Sequence, residues 1–270
     1  MTRLSIEKTK NSTKSADFVQ SLERGLAVIQ AFSEEHPSLT ISEAAKITGI
    51  SRPAVRRILL TLKELGYAEC ANDRFSLTVR TLSLGYAYLS SKNIWHIAQP
   101  HMKHFVDKTG ESSSISVLDE TEVVYVARVA TKRIMTIAID VGTRLPAHAT
   151  SMGQVLLAHL SEAELEEYFK RATLESFTNN TITDKSQLLN VFEQIRENGW
   201  IMVEQQLEEG LRSIAVPIRN SNGKVIAAIN CSAHAGRITS SVIQEQFLPL
   251  LLKTAEKISK DLATYDSSLL

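Results

Sequence analysis

The sequence has little cysteine and no long apolar run. Two cysteines in 270 residues are too few for a disulfide framework or a four-thiolate metal site, so we expect no metal and no cofactor. No apolar stretch approaches the ~18 residues that a membrane-spanning helix needs, and the polar amino terminus has no apolar signal-peptide core. These absences predict a cytoplasmic protein without a membrane partner.

The sequence also has no net charge, because 30 basic side chains balance 30 acidic ones. A nucleic-acid-binding protein usually has a basic excess, so zero net charge argues against that function if the chain is one unit. The two ends differ, however: residues 1–80 contain 12 basic and 9 acidic side chains, and residues 81–270 contain 18 basic and 21 acidic ones. The length fits one large domain or two ordinary ones, and the charge asymmetry predicts different partners for the two ends.

The first segments differ in polarity. Residues 1–16 offer almost nothing to bury and predict a flexible tail. From residue 17 apolar side chains recur at three and four residues, which predicts an amphipathic helix. Its predicted apolar stripe consists of Phe18, Leu22, Leu26, Ile29 and Phe32.

The next segments have the pattern of a winged helix-turn-helix. Thr40 and Glu43 have capping-box spacing and predict the start of a second helix. Gly49 suits the turn after this helix, and Ser51 can cap a third helix. Two short strands over residues 67–78 complete the pattern. We therefore predict a winged helix-turn-helix DNA-binding domain over residues 17–80.

The third helix has the composition of a DNA recognition helix. Arg52 and Arg56 are four residues apart and project from one face near the helix start, where such helices meet base edges in the major groove. Arg74 lies at the predicted tip of the ribbon. A solvated surface helix is the alternative interpretation. The candidate residues for binding double-stranded DNA are Ser51, Arg52, Arg56, Arg57, Lys63 and Arg74.

The rest of the chain has mixed helix and strand signals, so the fold class is α+β. Residues 81–100 predict a linker helix that contributes to a dimer contact, and residues 101–265 predict a second domain. Asn222-Gly223 predicts a hairpin between two strands. A further strand is predicted over residues 133–140, and the chain closes with a predicted helix that begins near residue 240.

Several motifs resemble those of the IclR-type bacterial transcription regulators. They are SLERGLAVIQAF, LTISEAAKITGISRPAVRRILLTLKELGYAE, GTRLPAHATSMGQVLLAHL and EEGLRSIAVPIRNSNGKVIAAINCSA, and the resemblance covers residues 17–264. The segment RLPAHATSMG is similar to the subgroup that controls catabolism of protocatechuate and p-hydroxybenzoate. The resemblance implies a GAF-like α/β effector-binding domain and a homodimer or dimer of dimers on a palindromic operator. It also implies contact with RNA polymerase if the protein is an activator.

The resemblance and the residue chemistry both suggest an effector site for a small aromatic acid. Matched motif to motif, the family's contacts fall on Ser151, Met152, Ser213, Asn230 and Ser232. An aromatic acid needs a cation for its carboxylate, apolar walls for its ring and hydrogen-bonding groups for its hydroxyls. Arg144 is the candidate cation, Met152 and Leu211 the candidate walls, and His148 a further hydrogen-bonding candidate. A structural ion pair for Arg144 and a packed histidine at position 148 are the alternatives.

Other functions fit the sequence less well. Ser151 lies in TSMG, which lacks the leading glycine of a nucleophile elbow, and Cys231 with His234 is not a complete metal-ligand group. We therefore expect no enzyme, but an activator of aromatic-acid catabolism genes that binds protocatechuate or a related hydroxybenzoate. The alternatives are a repressor of the same family that senses another small organic acid, and a small-molecule-converting enzyme with a DNA-binding appendage.

Overall fold

The structure is a computed structural model that describes residues 15, 17–92, 94–131 and 139–268. The predicted tail, apart from Ser15, and most of the strand predicted over residues 133–140 lie outside these residues. The chain divides into two compact units, Met1–Ser91 and Lys92–Leu270. This division falls inside the segment predicted as a linker helix.

The first unit is a winged helix-turn-helix. Its helices are α1 (Gln20–Gln30), α2 (Ile41–Thr48), α3 (Arg52–Glu64) and α4 (Leu82–Lys92), and its strands are β1 (Ala68–Ala71) and β2 (Arg74–Leu77). The predicted capping box is present, because the Glu43 side chain accepts from the Thr40 N–H at 2.7 Å and Thr40 Oγ1 accepts from the Glu43 N–H at 3.2 Å. Gly49 ends α2 with a φ of 69°, which favours glycine.

The prediction for the apolar stripe of α1 was wrong in part. Phe18, Leu22 and Leu26 are 43%, 61% and 48% exposed, whereas Val28 is fully buried. The core of this unit instead joins Val28 to Leu39, Ala44, Val55, Leu59, Leu62 and Phe75. The apolar period of α1 was real, but only the carboxyl-terminal part of the helix packs into this core.

The second unit is built around a six-stranded antiparallel sheet. Its strands are β3 (Ser112–Asp119), β4 (Glu122–Val129), β5 (Arg144–Pro146), β6 (Ile201–Glu204), β7 (Leu211–Arg219) and β8 (Val225–His234). They lie in the order β5-β4-β3-β8-β7-β6. The predicted hairpin is β7 and β8, and its turn contains Gly223 with a φ of 76°.

Helices cover both faces of the sheet. They are α5 (Ile94–Thr109), α6 (Ser151–Ala158), α7 (Glu162–Arg171), α8 (Lys185–Asn198), the short α9 (Ser240–Val242) and α10 (Leu248–Ser268), with a π-helical segment, Ile243–Phe247, before α10. Side chains of α6, α7 and α8 form a core with Val123, Tyr125, Ala215 and Ala228 of the sheet, and α5 and α10 contact each other and strands β3, β4, β7 and β8. Within the described residues, no helix is long and apolar enough to cross a membrane.

The GTRLP segment folds differently from the sequence interpretation, which treated it as a loop. Arg144–Pro146 forms β5, an edge strand paired antiparallel with β4. A 3-10 turn, Ala147–Ala149, then connects β5 to α6. Because side chains alternate across a strand, the pairing of β5 with β4 determines to which face of the sheet the Arg144 side chain points.

Candidate functional site

The recognition helix presents Arg52 and Arg56 to solvent. Both side chains are exposed, and their positions differ by about 40° around the helix axis. Val55, Leu59 and Leu62 hold the opposite part of the helix in the core. Ser51 occupies the cap position, but its side chain makes no capping hydrogen bond, so its hydroxyl is available to another acceptor or donor.

The other three candidate DNA-binding residues have different surroundings. Lys63 is exposed in the last turn of α3. Arg57 lines a groove between α1 and α3 together with Gln20 and Arg24. Arg74 lies beside the turn of the ribbon, and its guanidinium donates to the Ser38 carbonyl at 2.7 Å and forms an ion pair with Glu43 at 3.2 Å. Arg74 therefore joins the wing to the start of α2.

A small cavity in the second unit lies between α6, the sheet and the segment after β6. Its volume is about 30 Å³, which is enough for about one water molecule. Among the described residues no charged side chain lines it, and the lining consists of Tyr125, Ile139, Ala149, Thr150, Ser151, Met152, Val203, Gln206, Leu207, Leu211, Ser213, Asn230 and Ser232. We call it the α6 cavity.

A hydrogen-bond network crosses the floor of the α6 cavity. Asn230 Nδ2 donates to Ser213 Oγ at 3.0 Å and to Ser232 Oγ at 2.9 Å. Asn230 Oδ1 accepts from the Ser114 N–H at 3.0 Å, and the Ser213 hydroxyl bonds to that of Ser151 at 2.8 Å. The sheet register creates this cluster because Ser213 lies opposite Ser232, and Ser114 lies opposite Asn230. Each hydroxyl can rotate to bond a ligand, whereas the amide of Asn230 is fixed.

The start of α6 adds backbone donors to the α6 cavity. Thr150 caps the helix by accepting from the Gly153 N–H at 3.2 Å. The N–H groups of Ser151 and Met152 precede the first intrahelical bond, and a helix start attracts anions. Position 153 requires glycine, because a Cβ there would lie 2.1 Å from the Ala147 carbonyl oxygen.

Six of the eight predicted effector residues line the α6 cavity, and Arg144 and His148 do not. The Arg144 guanidinium lies between Asp119 and Glu122, with a distance of 2.7 Å to each carboxylate. The buried His148 ring bonds through Nε2 to the Glu175 carbonyl at 3.0 Å. Burial lowers the pKa of His148 below its ordinary value of 6.5, although the bond to Glu175 acts in the other direction. These contacts are the ion pair and the packed histidine considered as alternatives.

The sequence analysis did not identify three residues in or beside the cavity. Tyr125 and Gln206 line it, and burial raises the pKa of Tyr125 to about 12, so its hydroxyl stays protonated. Half-buried Arg128 lies opposite Ser114 and donates to its hydroxyl at 3.3 Å, and desolvation lowers its pKa. The sequence signal that could have identified Arg128 is an arginine inside the otherwise apolar strand EVVYVARV.

Comparisons with known proteins assign both units to the same family. The family model for the IclR helix-turn-helix domain matches residues 21–70, and the model for the bacterial transcriptional regulator IclR C-terminal domain matches residues 86–260. The chain is 44% identical over 251 residues to the Pca regulon regulatory protein of Pseudomonas putida, covering 93% of this chain and 86% of the relative. It is 38% identical over 250 residues to the p-hydroxybenzoate hydroxylase transcriptional activator of Acinetobacter baylyi, covering 91% of this chain and 92% of the relative.

A solved structure of an effector domain is also similar. It is a double mutant of the PobR transcription factor inducer binding domain from Acinetobacter in complex with 3-hydroxybenzoic acid, and it is 35% identical with a TM-score of 0.57. The match covers 61% of this chain and 96% of that chain. Both family models and both relatives describe transcriptional regulators, not enzymes. The chain belongs to the IclR family of bacterial transcriptional regulators.

Proposed function

We propose that this regulator activates genes of aromatic-acid catabolism when protocatechuate or a related hydroxybenzoate binds in the α6 cavity. The observation that carries the proposal is the Ser151–Ser213–Asn230–Ser232 network, which meets the start of α6 at one cavity. The names of the two relatives support the pathway. The hydroxybenzoate in the similar inducer binding domain supports the ligand class.

The cavity supplies the contacts that a hydroxybenzoate needs. The N–H groups of Ser151 and Met152 at the helix start are neutral donors for the carboxylate, and no described residue of the lining is a cation. Met152 and Leu211 offer apolar walls for the ring. Asn230 and Ser232 offer partners for ring hydroxyls, and each such pair favours a ligand that fills it over one that leaves a buried polar group unpaired.

Arg128 supplies a positive charge beside the α6 cavity. It shares a row across three strands with Ser114 and Asn230, so its Cα lies about 10 Å from that of Asn230, two strand spacings away. Residues opposite each other in a sheet share a face, which puts Arg128 on the face that carries the cavity. Its long side chain donates to the Ser114 hydroxyl, and rotation brings the guanidinium toward an acid bound beside Tyr125.

Binding must enlarge the α6 cavity, because 30 Å³ does not hold an aromatic ring. The segment that carries Gln206 and Leu207 is the mobile wall in this proposal. It is held by Thr181 Oγ1, which donates to the Gln206 carbonyl at 2.5 Å, and by Gln154 Nε2, which donates to Gln206 Oε1 at 2.8 Å. The effector then favours an enlarged state by its differential affinity for that state, and this is the switch.

In the first unit, Arg52 and Arg56 contact the DNA bases. The phosphate backbone of the DNA is contacted by Ser51, Arg57 and Lys63, and Arg74 holds the wing in place. Two reading heads in a homodimer, or four in a dimer of dimers, match a palindromic operator. The exposed apolar side chains of α4 support self-association, since Leu82 is 71% exposed and Tyr86 is 65% exposed. As an activator, the protein contacts RNA polymerase.

The experiment compares two arginines by calorimetry with protocatechuate and p-hydroxybenzoate. We expect Arg128→Gln to weaken binding by about tenfold or more, because a charge-assisted bond contributes ~1.5–3 kcal/mol. We expect Arg144→Gln to change the affinity less than twofold, because Arg144 is engaged with Asp119 and Glu122. Loss of binding with Arg144→Gln alone refutes the assignment of Arg128, and no binding of either acid by the unaltered protein refutes the proposed function.

Transcription in vitro separates activation from repression. On a template with the operator, purified RNA polymerase should produce more transcript when both the protein and the acid are present than with either alone. Transcription that the protein blocks and the acid restores would instead identify a repressor.

A further inference from the structure

A second concave site lies between α5 and α10, which pack against strands on the other side of the sheet from α6. Its volume is about 220 Å³. Its floor is formed by Phe105, Leu250 and Thr254, and its walls are formed by His101, His104, Lys108, Lys253 and Lys257. We call it the α5–α10 groove. The lining residues follow helical spacing on both helices, so one face of each helix faces the groove.

Three lysines in the walls of the α5–α10 groove have no carboxylate partner among the described residues. Three lysines and two histidines line it, and no acidic side chain does among the described residues. Asp261 is near one end, where it bonds to His101 at 2.7 Å. Lys108, Lys253 and Lys257 each have no ion pair or hydrogen bond in the described part of the chain.

Two lysines of this unit outside the groove have acidic partners. Lys103, on another face of α5, forms an ion pair with Asp107 at 2.9 Å, and Lys170 of α7 forms one with Glu166 at 3.4 Å. The chain after residue 80 has an acidic excess, with 21 acidic and 18 basic side chains. Three lysines without an ion pair among the described residues therefore line one groove, although this part of the chain has an acidic excess. Like charges held this close repel one another, and a bound anion relieves the repulsion.

We propose that the α5–α10 groove binds a small polyanion, either a phosphate compound or a polycarboxylate with at least two anionic groups. A small ligand fits because 220 Å³ lies below the ~300–1,000 Å³ of pockets for drug-sized molecules. At least two anionic groups are required because the unpaired lysines come from both helices, and one carboxylate cannot reach all of them. Phe105 and Leu250 close the floor with apolar surface, which strengthens the charge interactions above it. The site is independent of the α6 cavity.

The test is calorimetry on the full chain with pyrophosphate and citrate as probes and acetate as the monoanion, all at constant ionic strength. Lys253→Gln with Lys257→Gln removes two groove charges. Lys103→Gln with Lys260→Gln removes two exposed charges from the same helices outside the groove. We expect saturable binding of at least one polyanion that the groove pair weakens by about tenfold or more. The control pair should weaken it by less than about twofold, and acetate should not saturate.

Each outcome decides the proposal. Saturation by pyrophosphate alone identifies a phosphate ligand, and saturation by citrate alone identifies a polycarboxylate. No saturable binding of either probe, or an equal loss in both variant pairs, overturns the groove as a site. Lysine acetylation followed by mass spectrometry provides a test on the unaltered protein, because the bound polyanion should protect Lys253 and Lys257 but not Lys103. Equal protection of all three also overturns the proposal.

Discussion

The substitution Asn230→Asp tests the α6 cavity at its centre while it keeps the shape of the side chain. One aspartate oxygen still accepts from the Ser114 N–H, as Asn230 Oδ1 does at 3.0 Å. The other oxygen replaces Nδ2 and accepts from the hydroxyls of Ser213 and Ser232, which can rotate to donate. The fold is therefore retained, and the main change is a negative charge in a cavity lined by neutral groups.

The charge makes the expected loss of affinity large. With a ring hydroxyl at position 230 and the carboxylate at the start of α6, the two negative charges are ~8 Å apart and repel by ~2 kcal/mol at an effective dielectric constant of ~20. Since ~1.4 kcal/mol is a factor of ten, p-hydroxybenzoate should bind about thirtyfold more weakly. A neutral analogue, p-hydroxybenzamide, should lose at most a few-fold, because no repulsion acts on it.

Calorimetry on the two proteins measures both losses. Asn220→Asp is the matched control, because Asn220 lies in the β7–β8 turn and its Oδ1 accepts from the N–H groups of Asn222 and Lys224, as an aspartate also can. This control should bind the acid as the unaltered protein does. Unchanged affinity of Asn230→Asp for the acid refutes binding in the α6 cavity. An equal loss for acid and amide shows that packing, and not charge, is the cause.

Three further substitutions test other parts of the structure. Gly153→Ala places a Cβ 2.1 Å from the Ala147 carbonyl oxygen and should lower the free energy of unfolding by at least ~1–3 kcal/mol, as thermal denaturation can measure. The control Gly85→Ala, whose Cβ would have no atom within 4 Å, should not be destabilising. Burial lowers the pKa of His148 from 6.5, so its contribution to stability is present above about 6.5 and lost as the pH falls through the folded-state pKa; His148→Asn should reduce this slope in urea unfolding between about pH 5 and 8, and an unchanged slope contradicts the argument. Arg56→Ala should weaken operator binding by ~1–3 kcal/mol per reading head without changing acid affinity, as fluorescence anisotropy at matched salt can show; operator affinity equal to that of Arg171→Ala refutes the recognition-face assignment.

Local signals in the sequence were sufficient to predict those helix ends and turns that depend only on residues adjacent in the chain. The capping box at Thr40 and the glycine at position 49 each mark an observed helix end. The β7–β8 turn is equally local. The buried side of α1 could not be predicted in the same way, because the side that packs depends on α2 and α3, which α1 contacts, and not on the period of α1 itself.

The candidate site shows the same division. The serines and Asn230 were found through motifs, and they meet because the registers of β3, β7 and β8 bring them to one face. Arg144 was chosen for its charge, but the pairing of Glu122 with Pro146 brings acidic partners to it. No local pattern contains that pairing. Gln206 escaped prediction for a similar reason, since it reaches the cavity from an irregular segment.

Ligand selectivity follows from the hydroxyl network of the α6 cavity. The positive charge of Arg128 favours any small acid, whereas a network of serines and one asparagine distinguishes acids by the hydroxyls they carry. The Gln154–Gln206 hydrogen bond adds a threshold, because a ligand that enlarges the cavity must replace it or leave a buried amide unpaired. A carboxylic acid without a ring can satisfy the start of α6 but cannot hold the cavity open. Such an acid binds without shifting the conformational population, and we therefore expect protocatechuate and p-hydroxybenzoate to switch this protein where acetate does not.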